Sequence, residues 1–324
     1  MTALHRAPSP RSPLLLAFAA ACAPAPATTA TDATTTTTAT DATTEAATAA
    51  ETTAATDPLP LPPPGEFSLL TYNVAGLPQG ISSSNPEVNI PFISPLLNAY
   101  DLVLVQEDFY YHAQLAADAE HPYQTTPWRE IPDIVDLGDG LNRFSNYPMS
   151  DHQRIGWGAC HGQLDCASDC LATKGWSFAR TTMVEGEDGA RVDIDVYNLH
   201  MEAGNCPQDL IIRQQSAEAL AAEILARSVA HGYPVIVAGD FNLRENDPED
   251  VAPFNAIMQG AGLTDACQHL ECGTILIDKV LTRDGATIAL EAVEWQIPPE
   301  FVDPEGAPLS DHNPVAVRIA YTPI

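Results

Sequence analysis

The sequence predicts an α/β fold in residues 65–324, with two β-sheets packed face to face and covered by helices. Short apolar runs rich in strand-forming residues alternate there with stretches of helical periodicity. The run Asp101–Gln106 (DLVLVQ) is almost continuously apolar, which indicates a strand covered on both faces. About 260 residues lie in this region, and they are enough to bury one sizeable core.

The strands and helices follow one another along this region. Strands are predicted over Phe67–Val74, Asp101–Gln106, Gly140–Met149, Trp176–Val184, Ala190–His200, Val235–Ala238, Thr274–Leu281, Thr287–Val293 and Val315–Ala320. Helices are predicted over Pro91–Tyr100, Tyr111–Glu120 and Asp209–Ala230. Asp188 and Gly189 predict the turn of a hairpin. Arg154–Gly175 contains three cysteines and little periodicity, so we expect an insertion shaped by disulfides.

The first 64 residues are not expected to belong to the fold. Residues 23–64 consist mainly of Thr, Ala, Pro and Asp, which predicts a disordered tether because little surface can be buried. Residues 1–22 are interpreted as an export signal, since their apolar run Leu14–Ala21 is far shorter than the roughly 20 residues of a spanning helix. Cys22 follows small residues, as in a bacterial lipoprotein signal that carries a lipid anchor. The protein is therefore expected to be exported, as an outer-surface or periplasmic lipoprotein, or as a secreted protein if the signal is an ordinary cleaved one.

Six cysteines remain after Cys22, and an even number in an exported chain predicts disulfide bonds. They are Cys160, Cys166, Cys170, Cys206, Cys267 and Cys272. Zinc is the alternative for the first three, but their spacing does not match a paired zinc knuckle.

The chain is strongly acidic, with 43 Asp and Glu against 14 Lys and Arg and a formal charge of −29. This charge argues against a protein that wraps nucleic acid with a broad basic face. It still permits a nuclease that reaches one phosphate through a metal ion. Nucleic acid is therefore the less favoured partner. Separately, the protein is expected to be a monomer.

Acidic, amide and imidazole side chains recur where predicted strands end. They are Asn73 in TYNVAG, Glu107 in LVQED, His200 in YNLHMEAG, Asp240 and Asn242 in AGDFN, Asp278 in LIDKV, and Asp311 with His312 in LSDHNPV. Strand ends can present side chains rigidly into a crevice. Any one of these motifs is explained equally well by turn formation or by a solvated strand end. Their joint occurrence favours a single site.

In the order of these motifs the sequence resembles the endonuclease/exonuclease/phosphatase family, which includes deoxyribonucleases, abasic-site endonucleases, inositol phosphate phosphatases and sphingomyelinases. The resemblance extends over residues 65–324 and includes the segment GLNRFSNYP. It implies a four-layer α/β/β/α sandwich of two packed mixed sheets flanked by helices. It also implies a Mg²⁺-dependent phosphodiesterase, with other divalent cations as candidates, whose site lies at one edge of the sheets.

The resemblance implies a role for each residue of the motifs. Glu107, with Asn73 beside it, is expected to hold Mg²⁺, which needs only one or two protein ligands because it keeps several waters. Asp240 is expected to orient the attacking water or accept its proton. Asn242 is expected to donate a hydrogen bond to the developing charge.

The histidines and the remaining acids complete the expected catalytic set. His200 and His312 can each donate to the phosphate or protonate the leaving oxygen. Asp311 is expected to hold His312 or to bind the metal through water. Asp278 is expected to orient His200, although Lys279 follows it where the family often has an aromatic residue or His. The resemblance does not decide whether Asp240 or His312 is the general base.

The segment DCLATKG resembles one in sphingomyelinases in which an Asp and a Lys five residues apart flank a turn near the site. The resemblance implies that Asp169 and Lys174 contribute to the site, with Lys174 offering its charge to phosphate. The alternative is a surface loop with an incidental salt bridge. The segment HMEAGNC resembles the same enzymes and implies a disulfide between Cys166 and Cys206.

The expected substrate is a phosphodiester lipid at a membrane surface, cleaved by a sphingomyelinase-like phospholipase C through in-line attack of water. The alternatives are a secreted nuclease, a phosphatase for soluble phosphate esters and a binding module without activity. An apolar lip that meets the membrane is expected from five residues near the C-terminus. They are Trp295, Ile297, Pro298, Pro299 and Phe301.

Overall fold

The computed structural model of this chain describes residues 62–128, 137–163, 166–186 and 190–324. The predicted export signal, nearly all of the predicted tether and the predicted turn at Asp188 and Gly189 lie outside these residues. Among the described residues, none of the helices combines the length and the apolar character needed to cross a membrane.

The described residues form twelve strands, which we number in chain order. They are β1 (Gly65–Asn73), β2 (Leu102–Gln106), β3 (Tyr123–Gln124), β4 (Asn142–Ser145), β5 (Met149–Gly156), β6 (Gly175–Glu185), β7 (Arg191–His200), β8 (Val235–Asp240), β9 (Thr264–Asp265), β10 (Asp278–Arg283), β11 (Ile288–Gln296) and β12 (Val315–Pro323). Every predicted strand is present, with shifted ends. The three that were not predicted, β3, β5 and β9, are edge strands without a continuous apolar run.

The strands form two six-stranded sheets within the described residues. The first sheet has the order β11-β12-β1-β2-β4-β3, and the second has the order β5-β6-β7-β8-β10-β9. Both sheets are mixed. In the first sheet β1 is parallel to β2 and antiparallel to β12, and in the second β7 is parallel to β8 and antiparallel to β6.

The helices differ more from their predicted bounds than the strands do. They are α1 (Pro86–Leu96), α2 (His112–Leu115), α3 (Pro207–Arg227), α4 (Val251–Ala261) and α5 (Ala266–His269), with short 3₁₀ turns at Leu97–Ala99, Asp169–Leu171 and Val229–His231. Helix α1 begins at Pro86 rather than Pro91, because proline fits the first turn of a helix. Helix α2 is only one turn long, so the longer helix predicted there is wrong. Helix α4 was not predicted, because Pro253 and Gly260 weaken its helical pattern.

Three layers of buried apolar side chains separate the two sheets and the helices. Leu69 belongs to the cluster between the sheets. Leu70, on the opposite face of β1, packs with Ile90 of α1. Outside the second sheet, Tyr197 of β7 packs in one cluster with Leu220 of α3. The predicted four-layer α/β/β/α sandwich is therefore confirmed.

The carboxyl ends of the parallel strands meet at one edge of the sandwich. Asn73, the last residue of β1, lies opposite Gln106, the last residue of β2. His200, at the end of β7, lies opposite Asp240 at the end of β8. Strand β10 is antiparallel to β8 and begins at the same edge, where Asp278 lies opposite Asp240. Polar residues far apart in sequence thus reach one edge, as expected for the ends of parallel strands.

The six cysteines of the described residues form three disulfide bonds. These are Cys160–Cys170, Cys166–Cys206 and Cys267–Cys272. The bond from Cys166 to Cys206 is the one that the resemblance implied, and it ties the insertion before β6 to the start of α3. Disulfide bonding is confirmed for all six, and the zinc alternative is wrong.

Removing the bond between Cys166 and Cys206 is expected to destabilise the protein more than removing the bond between Cys267 and Cys272. The two bonds join cysteines 40 and 5 residues apart. A larger closed loop restricts the unfolded chain more, so we expect losses of roughly 4 and roughly 2 kcal/mol in the free energy of unfolding. Urea unfolding of the two double Cys→Ser variants measures both values. Equal losses would contradict the expectation.

Candidate active site

A cavity of about 410 Å³ opens at the edge where the strand ends meet. Its lining combines polar side chains from strand ends with apolar side chains from several loops. The lining residues are Leu77, Pro78, Ile81, Glu107, Phe109, Leu137, Ala167, Ser168, Asp169, Leu171, Ala172, Lys174, His200, Ala203, Asp240, Asn242 and His312. Seven of the ten predicted site residues are among them. Asn73 and Asp278 lie behind this wall and contact it, whereas Asp311 lies apart.

Asn73 connects the two sheets at the bottom of the cavity. Its Nδ2 lies 3.2 Å from Glu107 Oε1 and 3.2 Å from Asp240 Oδ2, and it donates to both carboxylates. Its Oδ1 accepts from the backbone N–H of Ala75 at 3.0 Å. The amide therefore presents nitrogen to the carboxylates. Oδ1 accepts only this one hydrogen bond and keeps a second lone pair, so a ligand role for Asn73 stays a prediction.

Glu107 projects into the cavity from just beyond β2. Its backbone φ is +55°, a conformation that residues other than glycine rarely adopt and that often occurs at functional sites. About a fifth of the Glu107 side chain is exposed (21%), and its carboxylate faces the cavity. Burial raises the pKa of Glu107.

Asp240 is the most densely contacted acid of the site. Its Oδ1 accepts from the backbone N–H of Asn242 at 2.9 Å. Its Oδ2 lies 3.3 Å from His200 Nε2, in addition to its contact with Asn73. Burial raises the pKa of Asp240 to about 6. Asn242 is held in turn by the backbone, since its Nδ2 donates to the carbonyl of Met201 at 3.0 Å.

The two histidines of the site differ in charge. Burial lowers the pKa of His200 well below its usual value, and its Nδ1 has no hydrogen-bond partner among the described residues. Burial also acts to lower the pKa of His312, but the hydrogen bond and charge of Asp278 raise it to about 10. His200 is therefore neutral, while His312 holds a proton.

The partner of His312 is Asp278 and not Asp311. His312 Nδ1 lies 2.9 Å from Asp278 Oδ2. Asp311 is exposed and accepts from the hydroxyl of Ser83, so the expectation that it holds His312 is wrong. The expectation that Asp278 orients His200 is wrong as well. Asp311 and His312 lie in a bend before β12, and their side chains contact different partners.

Asp169 and Lys174 form an ion pair at the wall of the cavity. Asp169 also accepts from the backbone N–H of Ala203 at 3.1 Å, and Lys174 Nζ donates to the carbonyl of Met201 at 3.2 Å. Among the described residues that line the cavity, Lys174 is the one lysine or arginine. The pair therefore lies in the site and does not belong to a remote surface loop.

Trp157 anchors the insertion against the site and was not singled out from the sequence. Its indole Nε1 donates to the carbonyl of His200 at 2.7 Å, and its backbone N–H donates to the carbonyl of Lys174 at 3.0 Å. Its ring packs on Trp176, with the centroids 4.8 Å apart. Together with the bond from Cys166 to Cys206, these contacts hold Lys174 beside the strand ends. A lone tryptophan in an irregular segment gives no signal of this role.

The cavity has an apolar part that the sequence did not single out. Ile81 and Leu171 are 54% and 38% exposed and line the cavity from two different loops. Phe301 is buried and packs on Tyr72, with ring centroids 5.2 Å apart. None of the five residues of the predicted lip is among the described residues that line the cavity. The burial of Phe301 removes it from the predicted lip, while a membrane contact of the other four residues stays a prediction.

The donors of the site fit a divalent cation. Asp240, Asp278 and His312 bring ligand atoms within 4.8 Å of one another. In this group His312 Nδ1 is engaged by Asp278 at 2.9 Å, and its Nε2 lies 3.8 Å from Asp240 Oδ2. Glu107 offers a carboxylate that faces the cavity, which suits Mg²⁺ because this ion binds through one or two carboxylates and retains waters.

Comparison of the sequence with known proteins gives a clear relative. No family model matches the chain. A sphingomyelinase of Mycobacterium tuberculosis is 35% identical over 281 residues, covering 79% of this chain and 53% of the relative. The chain thus spans about half the length of the curated relatives it matches most strongly.

Solved structures share the fold. Sphingomyelinase C from Streptomyces griseocarneus matches with a TM-score of 0.52 and 21% identity, over 78% of this chain and 99% of the other. Beta toxin from Staphylococcus aureus, in a mutant form with bound magnesium ions, matches with a TM-score of 0.55 and 16% identity over the same shares. An endonuclease/exonuclease/phosphatase family protein from Bacteroides thetaiotaomicron matches with a TM-score of 0.54 and 14% identity, over 79% and 98%.

These matches confirm the resemblance on which the site residues were predicted. The chain is similar in sequence to sphingomyelinases and has the fold of an endonuclease/exonuclease/phosphatase family protein.

Proposed function

We propose that this protein is an exported, Mg²⁺-dependent phosphodiester hydrolase that cleaves a phosphodiester lipid in the manner of a sphingomyelinase-like phospholipase C. One observation carries the proposal: Glu107, His200, Asp240 and His312, from separate strand ends and loops, line one cavity together with Lys174. Phosphodiester hydrolysis requires a base that activates water, an acid that protonates the leaving oxygen, and a positive charge that neutralises the phosphoryl oxygens.

Glu107 is the proposed ligand of Mg²⁺. A bound cation supplies charge that neutralises the phosphoryl oxygens and polarises the ester. The carboxylate faces the cavity, and Asn73 holds it by a hydrogen bond at 3.2 Å. The magnesium ions in the structurally similar beta toxin support this choice of ion.

The remaining roles follow from which atoms are free to face the substrate. Asp240 is the proposed base that orients the attacking water, since Asn242 and Asn73 hold its carboxylate in place. His312 is the proposed donor to the phosphate or the leaving oxygen, because Asp278 occupies Nδ1 and leaves Nε2 toward Asp240. Lys174, held by Asp169, offers a second positive charge to the phosphate.

Exchange of Asp278 is expected to affect turnover far more than exchange of its neighbour Asp311. Asp278→Asn removes the charge that keeps His312 protonated and oriented, so we expect a loss of kcat of roughly 100-fold. Asp311→Asn changes an exposed residue that contacts Ser83, and a much smaller loss is expected. Steady-state kinetics of the two variants measures both effects. A larger loss for Asp311→Asn would restore the pairing predicted from sequence.

The substrate class is supported by the mouth of the cavity. Exposed Ile81 and Leu171 face any ester that reaches the polar end, and neither offers a hydrogen bond to a sugar or a base. An apolar mouth above a polar site suits a lipid ester, whose alkyl part would cover these side chains. The acidic character of the chain also disfavours nucleic acid.

The purified protein is expected to hydrolyse sphingomyelin in the presence of Mg²⁺ and to lose this activity in EDTA. Phosphatidylcholine and plasmid DNA are assayed in parallel, and Asp240→Asn serves as the folded, inactive control. Cleavage of DNA with sphingomyelin spared would contradict the substrate assignment. Activity that survives EDTA would contradict the metal requirement.

Polar substitution at the mouth is expected to impair hydrolysis of lipid but not of a small soluble diester. Ile81→Asn removes apolar surface from the cavity, and we expect a roughly tenfold loss of kcat/KM on sphingomyelin vesicles. Activity on bis(4-nitrophenyl) phosphate is expected to stay unchanged. Ile211→Asn on α3 is the matched control, because Ile211 is similarly exposed (49%) and does not line the cavity. Equal effects of the two variants on vesicles would contradict a role of the mouth.

The setting of the enzyme is part of the proposal. Three disulfide bonds within the described residues suit an oxidising compartment. Residues 1–22 are proposed as an export signal, with Cys22 as the site of a lipid anchor, and residues 23–64 as a tether. Residues 65–324 are proposed as the catalytic domain. The monomeric state remains a prediction.

A further inference from the structure

A buried polar cluster lies between the two sheets, directly beneath the site. Thr71 of β1, Gln106 of β2 and Asn198 of β7 are each 0% exposed. Gln106 Nε2 donates to Asn198 Oδ1 at 2.7 Å and to Thr71 Oγ1 at 3.0 Å. The first of these bonds crosses from one sheet to the other, in an interface that is filled mainly by apolar side chains.

Asn198 also donates hydrogen bonds from its side-chain amide to the first sheet. Its Nδ2 donates to the carbonyl of Val105 at 2.9 Å and to that of Asn142 at 3.2 Å, and both of these residues belong to the first sheet. The second sheet is thus joined to β1, β2 and β4 through one pair of amide side chains. Because hydrogen bonds are directional, this pair fixes both the separation and the register of the sheets locally.

Each member of the cluster is next to a residue of the site. Thr71 and Asn198 precede Asn73 and His200 by two positions and therefore lie on the same strand faces. Gln106 directly precedes Glu107. The site needs this alignment, since Asn73 of the first sheet donates to Asp240 of the second at 3.2 Å.

Stability alone does not account for Gln106. Its Oε1 is buried and has no hydrogen-bond partner among the described residues. An unsatisfied buried carbonyl destabilises a fold, and an apolar side chain of the same size would avoid this cost. The amide is therefore better explained by what its Nε2 holds in place.

We propose that Gln106 and Asn198 are positioning residues, whose hydrogen bond sets the distance between Glu107 on the first sheet and His200 and Asp240 on the second. This inference deepens the proposed function and rests on it for the reaction concerned. The geometric part, the distance between the two halves of the site, holds whatever the substrate is.

Gln106→Met tests the proposal, because methionine has a similar length and cannot donate to Asn198. We expect kcat to fall at least tenfold and the affinity for Mg²⁺, measured by calorimetry, to fall in parallel. KM is expected to change little, since the cavity lining itself is kept. If Gln106→Met does not fold, Thr71→Val is the milder variant, because it frees Gln106 from one partner and suits a strand.

Tyr197→Phe is the matched control. Tyr197 is the neighbour of Asn198 on β7, and its hydroxyl forms a buried hydrogen bond with Ser228 Oγ at 2.7 Å on the opposite face. Removing this bond is expected to lower the melting temperature and leave kcat and Mg²⁺ affinity unchanged. A purely structural role of Gln106 would make the two variants alike in all three measurements, and that result would overturn the proposal.

A crystal structure of Gln106→Met separates this proposal from the proposed function. His200 Nε2 lies 3.9 Å from Glu107 Oε1 and 3.3 Å from Asp240 Oδ2. We expect the distance from His200 to Glu107 to increase in the variant, and the distance to Asp240 within the second sheet to stay. An unchanged site would refute the positioning role even if the enzyme is active. A wild type without phosphodiesterase activity would refute the proposed function and leave this geometric test in force.

Discussion

The alignment of the two sheets at the carboxyl ends of their parallel strands is the constraint on which the site depends. Glu107 directly follows β2 of one sheet, while His200 and Asp240 belong to the other. Apolar packing holds the sheets together but does not by itself fix their register, because it is non-directional. Hydrogen bonds across the interface supply that register. The bond from Gln106 to Asn198 is one of them, and Gln106 directly precedes Glu107.

Arg143 strengthens the same junction from β4. It is fully buried, and its guanidinium donates to the carbonyl of Val196 at 3.0 Å and to Ser177 Oγ at 3.3 Å. No carboxylate pairs with it among the described residues, and burial lowers its pKa to about 9. A buried cation held by backbone and hydroxyl groups is costly. Its position between β4 on one sheet and β6 and β7 on the other indicates that directional bonding is maintained there at the expense of stability.

The charges of the site follow a simple pattern in an otherwise acidic protein. Each cation that faces the cavity is held by a buried acid, Lys174 by Asp169 and His312 by Asp278. Loss of the acid from such a pair would leave its partner's charge buried and unpaired, which is costly. A phosphodiester anion would meet two oriented positive charges there without competition from the distant negative surface, which solvent and salt screen.

The sequence by itself determined nine of the twelve described strands, the two-sheet fold and the set of polar residues at strand ends, because period and composition are local properties. It also suggested the Cys166–Cys206 bond, through resemblance. It could not determine which acid holds which histidine. Asp311 is adjacent to His312 in sequence, whereas Asp278 reaches it because β10 pairs with β8 and begins at the same edge. Likewise, only the packing of loops placed Ile81 and Leu171 at the mouth and buried Phe301, since long-range contacts decide which apolar side chains are covered.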